Sequence, residues 1–274
     1  MSIPDILQQI VETKKREVGE AKARVGLEEL KGRCAEVEGP RNFFAALAKD
    51  PEGLVNVIAE IKRSSPSAGT MKVDFDPVAM ARLYHAAGAD ALSVLTDEEY
   101  FGGKLEYIAA VKAAVPLPVL RKDFIIDPYQ VYEARAAGAD AILLIAEILG
   151  DSLMIDLQIL ATELRLTTLI EVHELDSLLR VRSTIGFPLR SYSLLGINNR
   201  DLRTFKVDLN TTVRLAEFVE DKQILVSESG IRDKMDVQKM QGAGVRTLLI
   251  GETLMRSGDV GGTMANFKGI FRKS

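Results

Sequence analysis

YHAAGADALSVL (Tyr84–Leu95) and EARAAGADAILLI (Glu133–Ile145) share the string AAGAD. In each, a helical pattern runs into a glycine and an apolar, β-rich run begins at once. The glycine fits the left-handed position that ends many helices. A looser third copy is KMQGAGVRTLLI (Lys239–Ile250). Helix, glycine and strand recurring along one chain make an internal βα repeat.

Outward from these copies, eight apolar runs can be marked: Leu54–Ile61, Ala89–Thr96, Leu117–Phe124, Asp140–Ala146, Thr167–His173, Leu194–Arg200, Ile224–Gly230 and Thr247–Leu254. They recur at roughly 20–35 residues, which leaves room for a crossover helix each time. DPVAMARLYHAAG and DPYQVYEARAAG are two of the helical patterns between them. Near-continuous apolar strands are buried on both faces, as in parallel sheets. Eight βα units predict a (β/α)8 TIM barrel. A doubly wound open sheet is the alternative, but the chain has no G-x-G-x-x-G and no G-x-x-x-x-G-K-[ST].

The first ~50 residues read as helices. Ile3, Ile6, Leu7, Ile10, Val11 and Val18 repeat at helical spacing, Pro4-Asp5 suits a first turn, and Arg41–Ala48 forms a second short pattern. The expected division is an N-terminal helical extension over residues 1–50 and a barrel over residues 51–274, together one structural domain.

Composition narrows the functional classes. The 274 residues are 47% hydrophobic and 27% charged, enough for a full core. A net charge of −4, with Lys14, Lys15 and Arg16 answered by Glu12 and Glu17, argues against a nucleic-acid partner. No apolar run reaches the ~18–20 residues of a membrane helix. The N-terminus lacks a signal-peptide core and, with Asp5, Glu12, Glu17 and Glu20, is too acidic for a transit peptide. A cytoplasmic protein is expected. Cys34 is the only cysteine and His85 and His173 the only histidines, which argues against disulfides and metal sites alike.

Chemistry in such barrels sits at the C-terminal ends of the strands. VIAEIKRSSPSAG (Val57–Gly69) aims Glu60 and Lys62 to one face, because side chains two apart in a strand point the same way. The third run carries Arg121, Lys122 and Asp123, the fifth Glu171, the sixth Asn198, Asn199 and Arg200, and the seventh Ser227, Glu228 and Ser229. The starts of the same runs are apolar. Lysines and glutamates converging in a partly dry cup perturb one another's pKa values and supply proton donors and acceptors near neutral pH. Ser65 in the first loop, SESGI after the seventh run and IGETLM after the eighth present small residues before helices, a way barrels bind phosphate.

These motifs resemble the indole-3-glycerol phosphate synthase family of tryptophan biosynthesis. AEIKRSSPSAG resembles its first-strand signature, LRKDFIID its third, and LIEVH, GINNRDL, SESGI and GETLM its fifth to eighth, over nearly the whole chain. The resemblance implies N-terminal helices over the C-terminal face of the barrel. It implies a lyase that converts 1-(o-carboxyphenylamino)-1-deoxyribulose 5-phosphate to indole-3-glycerol phosphate with loss of CO2 and water, without metal or organic cofactor. It implies Lys122 as the general acid of ring closure, with Glu171 and Lys62 as base and acid of the dehydration. Lys62 would also contact the substrate carboxylate, with Arg200 helping there. Glu60, Asn198 and Ser229 would position substrate and catalytic groups. Ser65 and the backbones at Gly230, Gly251 and Glu252 would hold the phosphate, and Phe101 and Phe124 would face the anthranilate ring. A small-molecule substrate is the expected partner, and a monomer or weak homodimer the expected state.

Lys104 and Glu147 depart from the pattern, standing where small residues are common. His173, beside Glu171, reads as a structural group rather than a catalyst, His85 as a surface residue and Cys34 as passive. Phe43 and Phe44 read as packing for the N-terminal helices. Phosphoribosylanthranilate isomerase shares fold and phosphate site but needs a Cys/Asp pair at strand ends, and Cys34 precedes the first strand. A barrel that binds sugar phosphates without catalysis would not need the full set of Glu60, Lys62, Lys122, Glu171, Asn198 and Ser229.

Overall fold

The computed structural model describes residues 5–65, 69–70, 75–201, 204 and 206–270; the side chains of Asp5, Ser65 and Thr70, and the first-turn expectation at Pro4, lie outside that description. Eight strands form a closed parallel barrel: β1 Asn56–Ile61, β2 Ala91–Leu95, β3 Val119–Lys122, β4 Ala141–Ile145, β5 Thr167–Val172, β6 Ser193–Asn198, β7 Leu225–Glu228 and β8 Thr247–Ile250. Seven of the eight expected runs contain their barrel strand whole, and the sixth strand starts one residue ahead of its run, at Ser193; each strand is shorter than its run. A two-residue ribbon, Ser64–Ser65 against Gly69–Thr70, follows β1.

Helices alternate with the strands. After the extension (α1 Asp5–Arg24, α2 Leu27–Glu36, α3 Phe43–Ala48) come α4 Pro77–Ala87, α5 Glu106–Ala114, α6 Pro128–Ala136, α7 Asp151–Glu163, α8 Leu175–Val181, α9 Asn210–Ala216, α10 Lys234–Gly242, α11 Glu252–Arg256 and α12 Val260–Lys268. The two Asp-Pro pairs start helices for a physical reason. The Asp76 and Asp127 carboxylates accept the first free amides of α4 and α6, while Pro77 and Pro128 occupy positions whose amide needs no partner.

The AAGAD repeat does two things. Gly88, Gly138 and Gly244 adopt φ of +93°, +89° and +85°, the left-handed backbone that lets a helix stop and a strand start. The aspartate two residues on reaches to a neighbouring strand. Asp90 accepts the Val57 amide at 2.8 Å and Asp140 the Val119 amide at 2.7 Å, at the entrances of β1 and β3.

Strand alternation sorts the side chains. Ile58, Ala91, Leu120, Ala141, Leu143, Leu169, Leu194, Val226 and Leu249 form a buried cluster inside the barrel. Val57, Ala59, Leu92, Val119, Ile170 and Leu248 face the helices in a separate cluster. Two residues beyond Ile58, Leu120, Leu169 and Val226, the inward rows reach Glu60, Lys122, Glu171 and Glu228, so the interior turns from apolar to charged toward its C-terminal mouth.

The extension spans the barrel from end to end. Lys14 of α1 lies at the C-terminal face, 2.7 Å from Asp97 and 3.2 Å from Asp123. Next, α2 descends the outer wall, where buried Cys34 donates to the Tyr132 carbonyl of α6 at 3.2 Å. Then α3 closes the opposite end. Phe43 and Leu47 pack into the interior cluster, and the Asn56 amide nitrogen donates to the carbonyls of Leu47 and Lys49. Phe43 is thus a plug for the barrel floor.

Candidate active site

A cavity of about 580 Å³ opens at the C-terminal mouth. Glu60, Lys62, Phe101, Lys122, Phe124, Glu171, Asn198, Arg200, Glu228, Ser229, Gly230, Gly251 and Glu252 all line it. Every site residue expected from sequence is here, apart from Ser65, whose side chain lies outside the described residues.

Lys122 stands at its centre. Its Nζ lies 2.6 Å from Glu171 Oε2 and 2.6 Å from Glu228 Oε2, with both carboxylates buried. Burial lowers the affinity of Lys122 for its proton, but Glu171, Glu228 and Glu60 together outweigh burial and raise its pKa. Lys122 is therefore an ammonium at neutral pH. The two carboxylates split. Burial pushes Glu171 up, but Lys122 and His173 more than reverse this and hold it down at about 2. Burial and the nearby Glu171 charge push Glu228 up to about 8 against the pull of Lys122. Two acids this close cannot both ionise freely, so one proton resides on the pair at neutral pH, chiefly on Glu228.

Around this centre, Glu60 Oε1 accepts from Lys62 Nζ at 2.6 Å. Asn198 Nδ2 donates to Glu171 Oε1 at 3.3 Å, while Asn198 Oδ1 accepts the Arg200 amide at 3.0 Å. Phe101 and Phe124 tilt across each other with centroids 6.1 Å apart, forming one apolar wall. On the opposite side, Ser229 and Gly230 have φ of +66° and +88°. Left-handed backbone at a serine is strained, and such strain concentrates at functional positions. The Arg200 guanidinium sits 3.6 Å from Glu252, the neighbour of Gly251 in sequence.

The arrangement offers a charged lysine between two carboxylates, a second lysine–glutamate pair, an aromatic wall and a glycine-lined rim. Comparisons with known proteins place the chain in one family. A family profile described as indole-3-glycerol phosphate synthase covers residues 7–267. An indole-3-glycerol phosphate synthase of Acidithiobacillus ferrooxidans is 49% identical over 258 residues, 94% of this chain and 96% of that one. Those of Neisseria gonorrhoeae and Rhodospirillum rubrum are 49% and 45% identical over the same spans. The chain belongs to the indole-3-glycerol phosphate synthase family. It is a carboxy-lyase of that family built on a (β/α)8 barrel. Among solved structures, 3-hexulose-6-phosphate synthase superposes with a TM-score of 0.61 at 16% identity, covering 79% of this chain and all of that one, a likeness of fold alone.

Within this synthase barrel, Glu228 is the central residue that the sequence marks as a polar strand end without a role. Strand 7 presents SES, and the expectation settled on Ser229. Alternation from the buried, inward Val226 adds Glu228, and both residues line the cavity. Lys104, one of two departures from the family pattern, is half exposed and pairs with Glu106 at 3.7 Å. The other, Glu147, pairs with His173. His85 is exposed on α4 and Cys34 stands on the outer wall.

Proposed function

We propose that this chain turns 1-(o-carboxyphenylamino)-1-deoxyribulose 5-phosphate into indole-3-glycerol phosphate, with Lys122 as the acid of the first step. The observation that carries the reading is Lys122 Nζ at 2.6 Å from both Glu171 and Glu228, at the floor of a cavity walled by Phe101 and Phe124. The aryl carbon bearing the carboxylate attacks the ribulose carbonyl. That carbonyl is a poor electrophile until its oxygen gains a proton, which the Lys122 ammonium supplies. Loss of CO2 then restores the aromatic ring. Water leaves next: Lys62 gives a proton to the departing hydroxyl, and Glu171 takes up the proton released by the new ring.

Glu228 holds the Lys122 Nζ on the barrel axis. Glu60 orients Lys62, and Asn198 orients Glu171. Lys62 also faces the substrate carboxylate. The backbones of Ser229, Gly230, Gly251 and Glu252, with Ser65, hold the phosphate, and Arg200 belongs to this side by its contact with Glu252. Anchoring both ends of the substrate folds it so that the two reacting carbons meet, the largest saving available to a ring closure. A cytoplasmic location is part of the same proposal; among the described residues no helix is long and apolar enough to cross a membrane.

The test is to incubate the protein with the substrate in EDTA and follow indole fluorescence. A rise that Lys122→Ala abolishes, with substrate binding retained, supports the reading. Near-normal turnover by Lys122→Ala removes the acid assignment.

A further inference from the structure

Glu147 and His173 stand outside the machinery above. Both line a second cavity of about 1180 Å³ on the same face, bordered also by Asn198 and Arg200. Glu147 follows β4 and His173 follows β5. The Glu147 carboxylate grips one residue twice: Oε1 accepts the His173 backbone amide at 2.9 Å, and Oε2 lies 3.0 Å from His173 Nδ1. That double contact fixes the imidazole ring. It leaves Nε2 buried, with no hydrogen-bond partner, 3.4 Å from Glu171 Oε1.

The charges that face this ring are mostly acids. Glu147 comes from the end of β4, Glu171 from β5 and Glu228 from β7, with Lys122 of β3 beyond Glu171. From the wall of the second cavity come Arg180, committed to Asp151 and to the carbonyls of Ala146 and Leu149, and Arg200, beside Glu252. Glu174 and Asp176 lie on the same wall. Burial disfavours a charged imidazole, but the contact to Glu147 and the Glu171 charge outweigh burial, and the His173 pKa is raised.

We propose that Glu147 and His173 are positioning residues for Glu171: Glu147 locks the ring, and the Nε2–H of the imidazolium holds Glu171 Oε1 ionised while Oε2 stays on Lys122. The row Glu147–His173–Glu171–Lys122–Glu228 then alternates acid and base from the second cavity to the barrel axis. The inference rests on the base role proposed for Glu171.

Two measurements test it on the full chain. The protein has two histidines, and His85 is exposed on α4, so two imidazole resonances can be titrated by NMR. His173 is expected to titrate above the ordinary ~6.5, and Glu147→Gln to lower that value. The Glu147→Gln enzyme should thus lose kcat at pH 8 and recover toward pH 6, with KM within about twofold throughout. His173→Gln should lose kcat at both pH values.

An unmoved His173 titration in Glu147→Gln, or a kcat deficit equal at pH 6 and pH 8, overturns the pairing. Glu171→Gln run alongside separates the two readings. If it is inactive while Glu147→Gln shows no pH-dependent deficit, the pairing alone fails. If Glu171→Gln keeps its activity, the base role fails and the pairing with it.

Discussion

Gly196 and Glu228 share one volume of the barrel centre: a Cβ added to Gly196 would overlap Glu228 Oε1. Gly196 lies on β6 between inward Leu194 and Asn198, and pairs in register with Val226. An ordinary side chain here would fill the space that the Glu228 carboxylate uses to reach Lys122. Gly196→Ala should therefore move Glu228 off Lys122. Displacing a proton-handling group by about an ångström costs on the order of 10²-fold in rate, while the added methyl costs about 1–3 kcal/mol of stability through overpacking. Steady-state kinetics and urea unfolding on the same variant check both figures. A kcat close to wild type would show that Glu228 is not needed where it sits.

Glu228 also predicts how stability varies with pH. Its folded pKa of about 8 lies above the ordinary value of 4.5. Between these, the native state holds a proton that the unfolded chain has released. Stability supplied by such a group is full below about pH 4.5 and is lost as pH rises through about 8. His173, also raised, acts in the same direction above 6.5. Glu171, held at about 2, acts below this window: its contribution is present above 4.5 and lost as pH falls toward 2. Urea unfolding from pH 5 to pH 8 should show stability declining, and Glu228→Gln should flatten the decline. A wild-type curve flat over that interval would contradict the split of the two carboxylates.

The barrel was legible because each strand is a short apolar run closed by a glycine or a charge, and because AAGAD repeats the joint between helix and strand. The charged mouth was legible because Glu60, Lys62, Lys122 and Glu171 each stand at the end of such a run. Glu228 was harder to pick out. Two serines flank it in sequence, and the feature that makes room for it, Gly196, lies 32 residues earlier on another strand. The path of the extension was not legible in full. FFAALA reads as an amphipathic helix wherever it packs. Its place at the barrel floor depends on the Arg41 guanidinium, which donates to the carbonyls of Lys112, Val115 and Leu117, and on Asn56. The pairing of Glu147 with His173 likewise joins two loops 26 residues apart.

Gly251 has a comparable relation to the Glu60–Lys62 pair. A Cβ there would overlap Glu60 Oε1 and stand 3.0 Å from Lys62 Nζ. Gly251→Ala should push that pair sideways and crowd the rim assigned to the phosphate. The expected result is a raised KM together with a lowered kcat, in contrast to Gly196→Ala, which should act chiefly on kcat. Substrate binding measured with Lys122→Ala in the background isolates the binding part. Unchanged affinity in that background would place the phosphate elsewhere.

The last prediction concerns the first helix. Lys14 is buried on α1 with its Nζ 2.7 Å from Asp97, 3.2 Å from Asp123 and 2.7 Å from Glu17. Burial disfavours its charge, yet Asp123 and Asp97 raise its pKa, so it is an ammonium at neutral pH. Its partners shape the aromatic wall. Asp97 accepts the amides of Tyr100 and Phe101, and Asp123 accepts the amide of Phe124. Lys14→Met keeps the stem and removes the charge, leaving Asp97 without its nearest cation while Asp123 retains Arg121 at 3.0 Å. Breaking a buried ion pair from one side costs about 3–5 kcal/mol. Unfolding should start more readily, and KM should rise as Phe101 and Phe124 lose their fixed backbone, while the Lys122–Glu171–Glu228 centre stays intact and kcat at saturation falls much less. Denaturant unfolding and a full kinetic curve at one temperature decide this. If KM holds while kcat collapses, α1 acts on the catalytic centre itself rather than through the aromatic wall.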